Sequence, residues 1–231
     1  MNNSWRRPLV SLITFAGLAC AFSAVVLVMH EELIAATICI LAGYLLDALD
    51  GAVARRLGAT SAFGLQLDSL ADVVTFGLAP SVLVYQYLRQ LALSPAVTWA
   101  VCVGYVIGGA FRLARFNLLP QRKSHSDSVG LTISTSGATL ALSVLSNRTC
   151  DDQLIPVHVF PLLVVVLTVL MVSRIRYPAL ATLFQARWLS LVGLGLAAML
   201  AIWLSPPLLG STLIGGYVSF GLARAAYDLV R

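Results

Sequence analysis

Charge is scarce in this chain. Only 11% of its 231 residues are Asp, Glu, Lys or Arg, against about 25% in an ordinary soluble domain. That shortage excludes a solvated globular surface over most of the molecule. Histidine is nearly absent, at three residues, and there are four cysteines. Cys20, Cys39, Cys102 and Cys150 lack metal-site spacing, so a zinc site and a disulfide framework are both set aside. Basic residues are not interleaved with aromatics, which excludes a nucleic-acid surface.

Apolar sequence fills the space that charge leaves. Hydrophobic residues make up 59% of the chain, and its mean hydropathy is +0.89. Runs of roughly 20 apolar residues suffice to cross a bilayer. The pattern predicts an all-α polytopic membrane bundle forming a single domain over residues 1–231, with about eight spans. These fall at residues 9–29, 33–56, 64–88, 94–116, 129–145, 154–172, 188–204 and 208–223. The first run exceeds a signal-peptide core and is read as a retained helix. An even number of spans places both termini on one side. That side then carries 13 of the 15 basic residues, leaving only Arg89 and Arg148 opposite. By the positive-inside rule the termini are cytoplasmic. Asn147-Arg148-Thr149 matches a glycosylation sequon, a pattern short enough to arise by chance. No internal repeat supports an inverted-repeat transporter.

Four carboxylates break the apolar pattern: Asp47, Asp50, Asp68 and Asp72. The first two are spaced i,i+3 and the second two i,i+4, so each pair shares a helix face. A short connection between antiparallel spans brings both pairs to the same membrane face. Four facing negative charges repel, and a divalent cation is the simplest reason to gather them. All-oxygen ligands point to Mg²⁺ or Mn²⁺. Gly51 and Ala54 keep large side chains off the neighbouring face, and Gly64 permits close approach of a helix or ligand. Arg55 offers a permanent cation that can fork onto a phosphate. One aspartate at a helix end is commonly only solvated; four in an apolar setting are expensive and point to function.

Written out, the motif is D-x2-D-G-x2-A-R-x8-G-x3-D-x3-D, from Asp47 to Asp72. It resembles the signature of the CDP-alcohol phosphotransferases. The resemblance implies two divalent metals shared by Asp47, Asp50, Asp68 and Asp72, with Asp72 also the base. It implies that Gly51, Ala54, Arg55, Ser61 and Gly64 surround the CDP-lipid. The implied reaction is attack of an alcohol hydroxyl on the lipid-bearing phosphorus of CDP-diacylglycerol, releasing CMP. A homodimer in a bacterial inner membrane is implied too, its active site facing the cytoplasm.

Residues 59–81 and 108–117 are similar to the phosphatidylserine synthase subgroup, making L-serine the favoured acceptor. Glycerol phosphate, inositol phosphate and choline are the alternatives. Arg112 and Arg115 are candidates for a lipid phosphate or the acceptor carboxylate, or simply obey the positive-inside rule. One stretch departs from the subgroup. GLTISTSGA, residues 130–138, carries hydroxyls where prolines and small residues are typical. These hydroxyls bond back to their own helix or line a different head-group site. UbiA-type prenyltransferases also use aspartate-rich motifs, but theirs lie far apart in sequence. A non-enzymatic cation transporter would use the same aspartates without needing Gly51, Ala54 or Arg55.

Overall fold

The computed structural model describes residues 5–59, 61–118, 128–149 and 155–177, together with Gly216 and Ser219. The seventh and eighth expected spans fall outside the described residues, those two positions apart. Within the description the chain is helical, apart from a two-residue antiparallel pairing of β1 (Ser128–Val129) with β2 (Arg176–Tyr177).

Helix α1 (Arg6–Met29) turns through His30–Glu32 into α2 (Leu33–Leu57), and the two pack along each other. Glu31 takes a left-handed φ of 65° at that turn. Helix α3 (Ala62–Asp72) runs through a π-helical segment, Val73–Leu78, into α4 (Ala79–Gln90). Helix α5 (Pro95–Leu118) follows, then α6 (Ile133–Thr149) and α7 (Phe160–Val172). Among the described residues, four stretches are long and apolar enough to cross a membrane: Pro8–Met29, Leu33–Leu57, Ala62–Gln90 and Pro95–Leu118. The shortest, at 22 residues, is about 33 Å long at 1.5 Å per residue, enough for a bilayer core. Leu12, Phe22, Ile38, Leu45, Trp99 and Ile107 stand exposed along these helices, as a lipid-facing surface requires.

Helix α6 is different. Most of it is buried, so its hydroxyl-rich face lies inside the bundle. It also starts later than expected, at Ile133 and not near residue 129. Gly130 adopts φ 81°, and its N–H donates to the Ile175 carbonyl at 2.7 Å, while Leu131 N–H donates to the Leu170 carbonyl at 3.1 Å. Those donors are spent on the end of α7 and the segment just after it. The helix begins only after Thr132, whose hydroxyl accepts from Thr135 N–H at 3.3 Å. Thr139 then bonds back to the Thr135 carbonyl at 2.7 Å.

The sequon asparagine is also structural. Asn147 is buried, donates to the Tyr87 hydroxyl at 3.0 Å and the Ile155 carbonyl at 2.8 Å, and accepts from Ile155 N–H at 3.0 Å.

Candidate metal and nucleotide site

Two caps set the geometry of the acidic stretch. Helix α2 ends on Gly58, left-handed at φ 59°. The N–H of Ala59 reaches back to the Ala54 carbonyl at 3.0 Å, and that of Gly58 to the Arg55 carbonyl at 3.4 Å. This is the pair of bonds of a Schellman motif. Helix α3 opens on Ser61, whose hydroxyl accepts from Gly64 N–H at 3.0 Å. Between the caps the chain reverses. Asp50 lies eight residues before Gly58 and Asp68 seven after Ser61; Asp47 lies 11 before and Asp72 11 after. At 1.5 Å per residue, each pair of partners sits level across the hairpin, about 11 Å and about 16 Å from the turn.

The carboxylates do meet. Oxygen atoms of Asp47, Asp50 and Asp68 lie within 4.8 Å of one another. Asp72, one helical turn beyond Asp68, lines the same narrow cleft, together with Thr14, Gly17, Gly43, Ala71 and Thr75. Asp50 is buried and the other three are half-buried. Among the described residues, no side chain donates a hydrogen bond to Asp47, Asp68 or Asp72. Three mutually facing carboxylates with so few donors of their own are a fit for divalent cations. The donor set is all oxygen, as a hard ion requires.

One contributor carried no sequence signal. Thr14 of α1 donates its hydroxyl to Asp50 Oδ2 at 2.8 Å, fixing that carboxylate's orientation. A single threonine within an apolar run is indistinguishable from a helix-packing residue until α1 is seen against α2. The close packing around the cleft depends on small residues: a methyl group on Gly43 would fall 2.7 Å from Thr75 Cγ2.

The expected nucleotide-binding residues lie along the hairpin. The exposed Arg55 folds over Gly51, where an added Cβ would come within 3.3 Å of its Nη1. The bare face at Gly51 therefore accommodates the guanidinium. Gly64 leaves room for its own cap, since a Cβ there would sit 3.1 Å from Ser61 Oγ. Ala54 is half-buried on the same last stretch of α2 as Arg55.

The two α5 arginines part ways. Arg112 is buried, lies over the Phe116 ring with its guanidinium carbon 5.8 Å from the centroid, and places its charge within electrostatic reach of Asp72. Arg115 donates to the Val172 carbonyl at 2.8 Å and the Ser173 carbonyl at 3.0 Å. It thereby satisfies carbonyls left over at the end of α7. Near them, Asn117 Nδ2 donates to Ser69 Oγ at 3.1 Å, tying α5 to the turn between Asp68 and Asp72.

The sequence profile of the CDP-alcohol phosphatidyltransferase family matches residues 8–220. The chain is 35% identical over 194 residues to a CDP-diacylglycerol–serine O-phosphatidyltransferase of Helicobacter pylori, covering 83% of this chain and 80% of that one. It is 31% identical over 186 residues to the Bacillus subtilis protein of the same name, covering 77% and 96%. A Methanocaldococcus jannaschii protein, again so named, is 39% identical over 134 residues, covering 57% and 58%. The carboxylate hairpin and this match along nearly the whole chain make it a member of the CDP-alcohol phosphatidyltransferase family.

Proposed function

We propose that the chain transfers the phosphatidyl group of CDP-diacylglycerol to the hydroxyl of L-serine, releasing CMP. The observation that carries this reading is the convergence of Asp47, Asp50 and Asp68, with Asp72 in the same cleft. Asp47, Asp50 and Asp68, with Asp72 at the inner edge, would hold two divalent cations, Mg²⁺ or Mn²⁺. Bound there, such cations neutralise the diphosphate and stabilise charge developing on the leaving CMP.

The remaining work falls to side chains. Arg55, exposed at the mouth of the hairpin, pairs with a phosphate of the CDP moiety. Gly51 leaves room for the Arg55 guanidinium and Gly64 for the Ser61 cap, and Ala54 adds only a methyl group beside them. The Ser61 hydroxyl uses one lone pair on its cap and keeps its hydrogen for the nucleotide. Asp72 accepts the serine hydroxyl proton as the new oxygen–phosphorus bond forms. The bond from that phosphorus to the CMP oxygen breaks, and the proton passes from Asp72 to water. Arg112 offsets negative charge next to Asp72, on the acceptor or the lipid phosphate. Arg115, which also donates to the Val172 and Ser173 carbonyls, is a candidate for the same role.

In this reading residues 1–231 form one membrane domain of eight spans with both termini in the cytoplasm. The cleft opens to the cytoplasmic side of a bacterial inner membrane, and the chain works as a homodimer. The gathering of Arg6, Arg55, Arg56, Arg112 and Arg115 at the cleft end supports that orientation, and the family resemblance supports the dimer.

The test is a panel of labelled alcohols offered with CDP-diacylglycerol to the purified protein. Serine should give labelled lipid and an equal amount of CMP. Labelled lipid from glycerol phosphate, inositol phosphate or choline, with none from serine, overturns the choice of acceptor.

A further inference from the structure

The span carrying Asp68 and Asp72 is not a uniform α-helix. Directly after Asp72 it widens into the π-helical segment, whose last bond runs from Ala79 N–H to the Val74 carbonyl. One extra residue in a turn rotates the two flanking stretches of helix by about 100° relative to each other. That offset allows two faces to be correct at once. Asp68 and Asp72 face α2, while Leu83, Val84, Tyr87 and Leu88 of α4 stay buried in the core. A uniform helix would misplace one set.

The wide turn runs directly into a proline, Pro80. In an α-helix the Phe76 carbonyl would accept from the N–H of residue 80, and residue 80 is Pro, which has none. The Tyr105 hydroxyl of α5 fills the gap, donating to the Phe76 carbonyl at 3.0 Å. Tyr105 is fully buried, where a phenol requires a partner. Gly137 of α6 closes the other side, since a methyl group there would fall 2.7 Å from the same carbonyl oxygen.

We propose that Tyr105 is a positioning residue for Asp72, holding through the Phe76 carbonyl the wide turn that Pro80 leaves open. The proposal rests on Asp72 being the proton acceptor, yet it makes a separable claim. Tyr105 and Pro80 form a matched pair, each needed because of the other.

The experiment is a double-mutant cycle on the full-length protein in detergent, with Tyr105→Phe, Pro80→Ala and both together. The phenylalanine fills the same core space without its hydroxyl. Tyr105→Phe should lower kcat about tenfold to a hundredfold, as loss of an orienting partner typically does, with KM for CDP-diacylglycerol and serine unchanged. Pro80→Ala restores an N–H to this stretch. In that background Tyr105→Phe should cost under about threefold, as expected where two changes share one partner.

Mn²⁺ affinity, read by the Mn²⁺ spectroscopic signal, provides a second readout independent of transfer. Tyr105→Phe should weaken it and Pro80→Ala should remove that loss. Independent, multiplicative effects on both readouts overturn the proposal, as does a Tyr105→Phe protein with wild-type kcat and Mn²⁺ affinity. A wild-type protein that releases no CMP with any alcohol overturns the proposed function instead. In that event coupling in Mn²⁺ affinity alone still decides whether the tyrosine and proline act as a pair.

Discussion

The two ends of the bundle treat their polar side chains in opposite ways. At the Asn147 end they satisfy one another. Asn147 uses its amide on Tyr87 and Ile155. Arg148 donates to Gln90 and lies over the Tyr87 ring, and Gln86 donates to Glu31 at 3.4 Å. At the other end, Asp47, Asp50 and Asp68 face each other, with Thr14 on Asp50 as a supporting side-chain donor. A closed polar network holds a fold together; an open cluster of like charge requires something from outside. Burial alone would not have separated the two, because Asp50 and Asn147 are both buried.

Substitutions should therefore act on turnover at the open end and on stability at the closed end. The largest effect belongs to Asp72→Asn, which removes the proton acceptor and keeps its shape. It should lower kcat by about 10²- to 10⁴-fold while CDP-lipid binding persists. Wild-type turnover would remove Asp72 from the chemistry. Thr14→Val should weaken Mn²⁺ binding by about 10- to 100-fold, measured by titration; unchanged affinity would make the threonine a packing residue. Arg55→Ala should raise KM for CDP-diacylglycerol about tenfold, the loss of one charge-assisted phosphate contact, with kcat nearly unaffected. The gentlest effect on catalysis is expected at the closed end. Asn147→Ala should cost about 1–3 kcal/mol of stability in a thermal or denaturant melt, with unchanged kcat for the folded protein. A fall in kcat there would blur the contrast between the ends.

The open end was far more legible in the sequence than the devices that shape it. Carboxylates in apolar sequence stand out singly, and their i,i+3 and i,i+4 spacings already place each pair on one helix face. Gly58 and Ser61 are ordinary helix-stop and helix-start residues, so the hairpin between them follows from local rules. Thr14 did not stand out, because its meaning comes from a residue 36 positions away. The π-helical turn was equally hidden. Hydrophobic periodicity runs smoothly enough across Ala62–Gln90 to read as one helix, and Pro80 alone does not announce which hydroxyl will answer it. The carbonyl bonds of Arg115 were hidden for a related reason. An arginine at a helix end looks the same whether it meets a phosphate or the carbonyls of α7. The start of α6 shifted by four residues because Gly130 and Leu131 bond to the segment after α7 and to its last turn, contacts no local pattern encodes. Of the hydroxyls in residues 130–138, that of Thr132 caps its own helix by accepting from Thr135 N–H.

The most direct test of the cation-gripping cleft is a metal add-back. Protein stripped with a chelator is supplied with CDP-diacylglycerol and L-serine, and CMP release is followed as Mn²⁺ is returned. The cleft of Asp47, Asp50, Asp68 and Asp72 predicts no release when stripped, saturable recovery in the wild type and none in Asp68→Ala. Full release by the stripped protein, or normal recovery in Asp68→Ala, would contradict it.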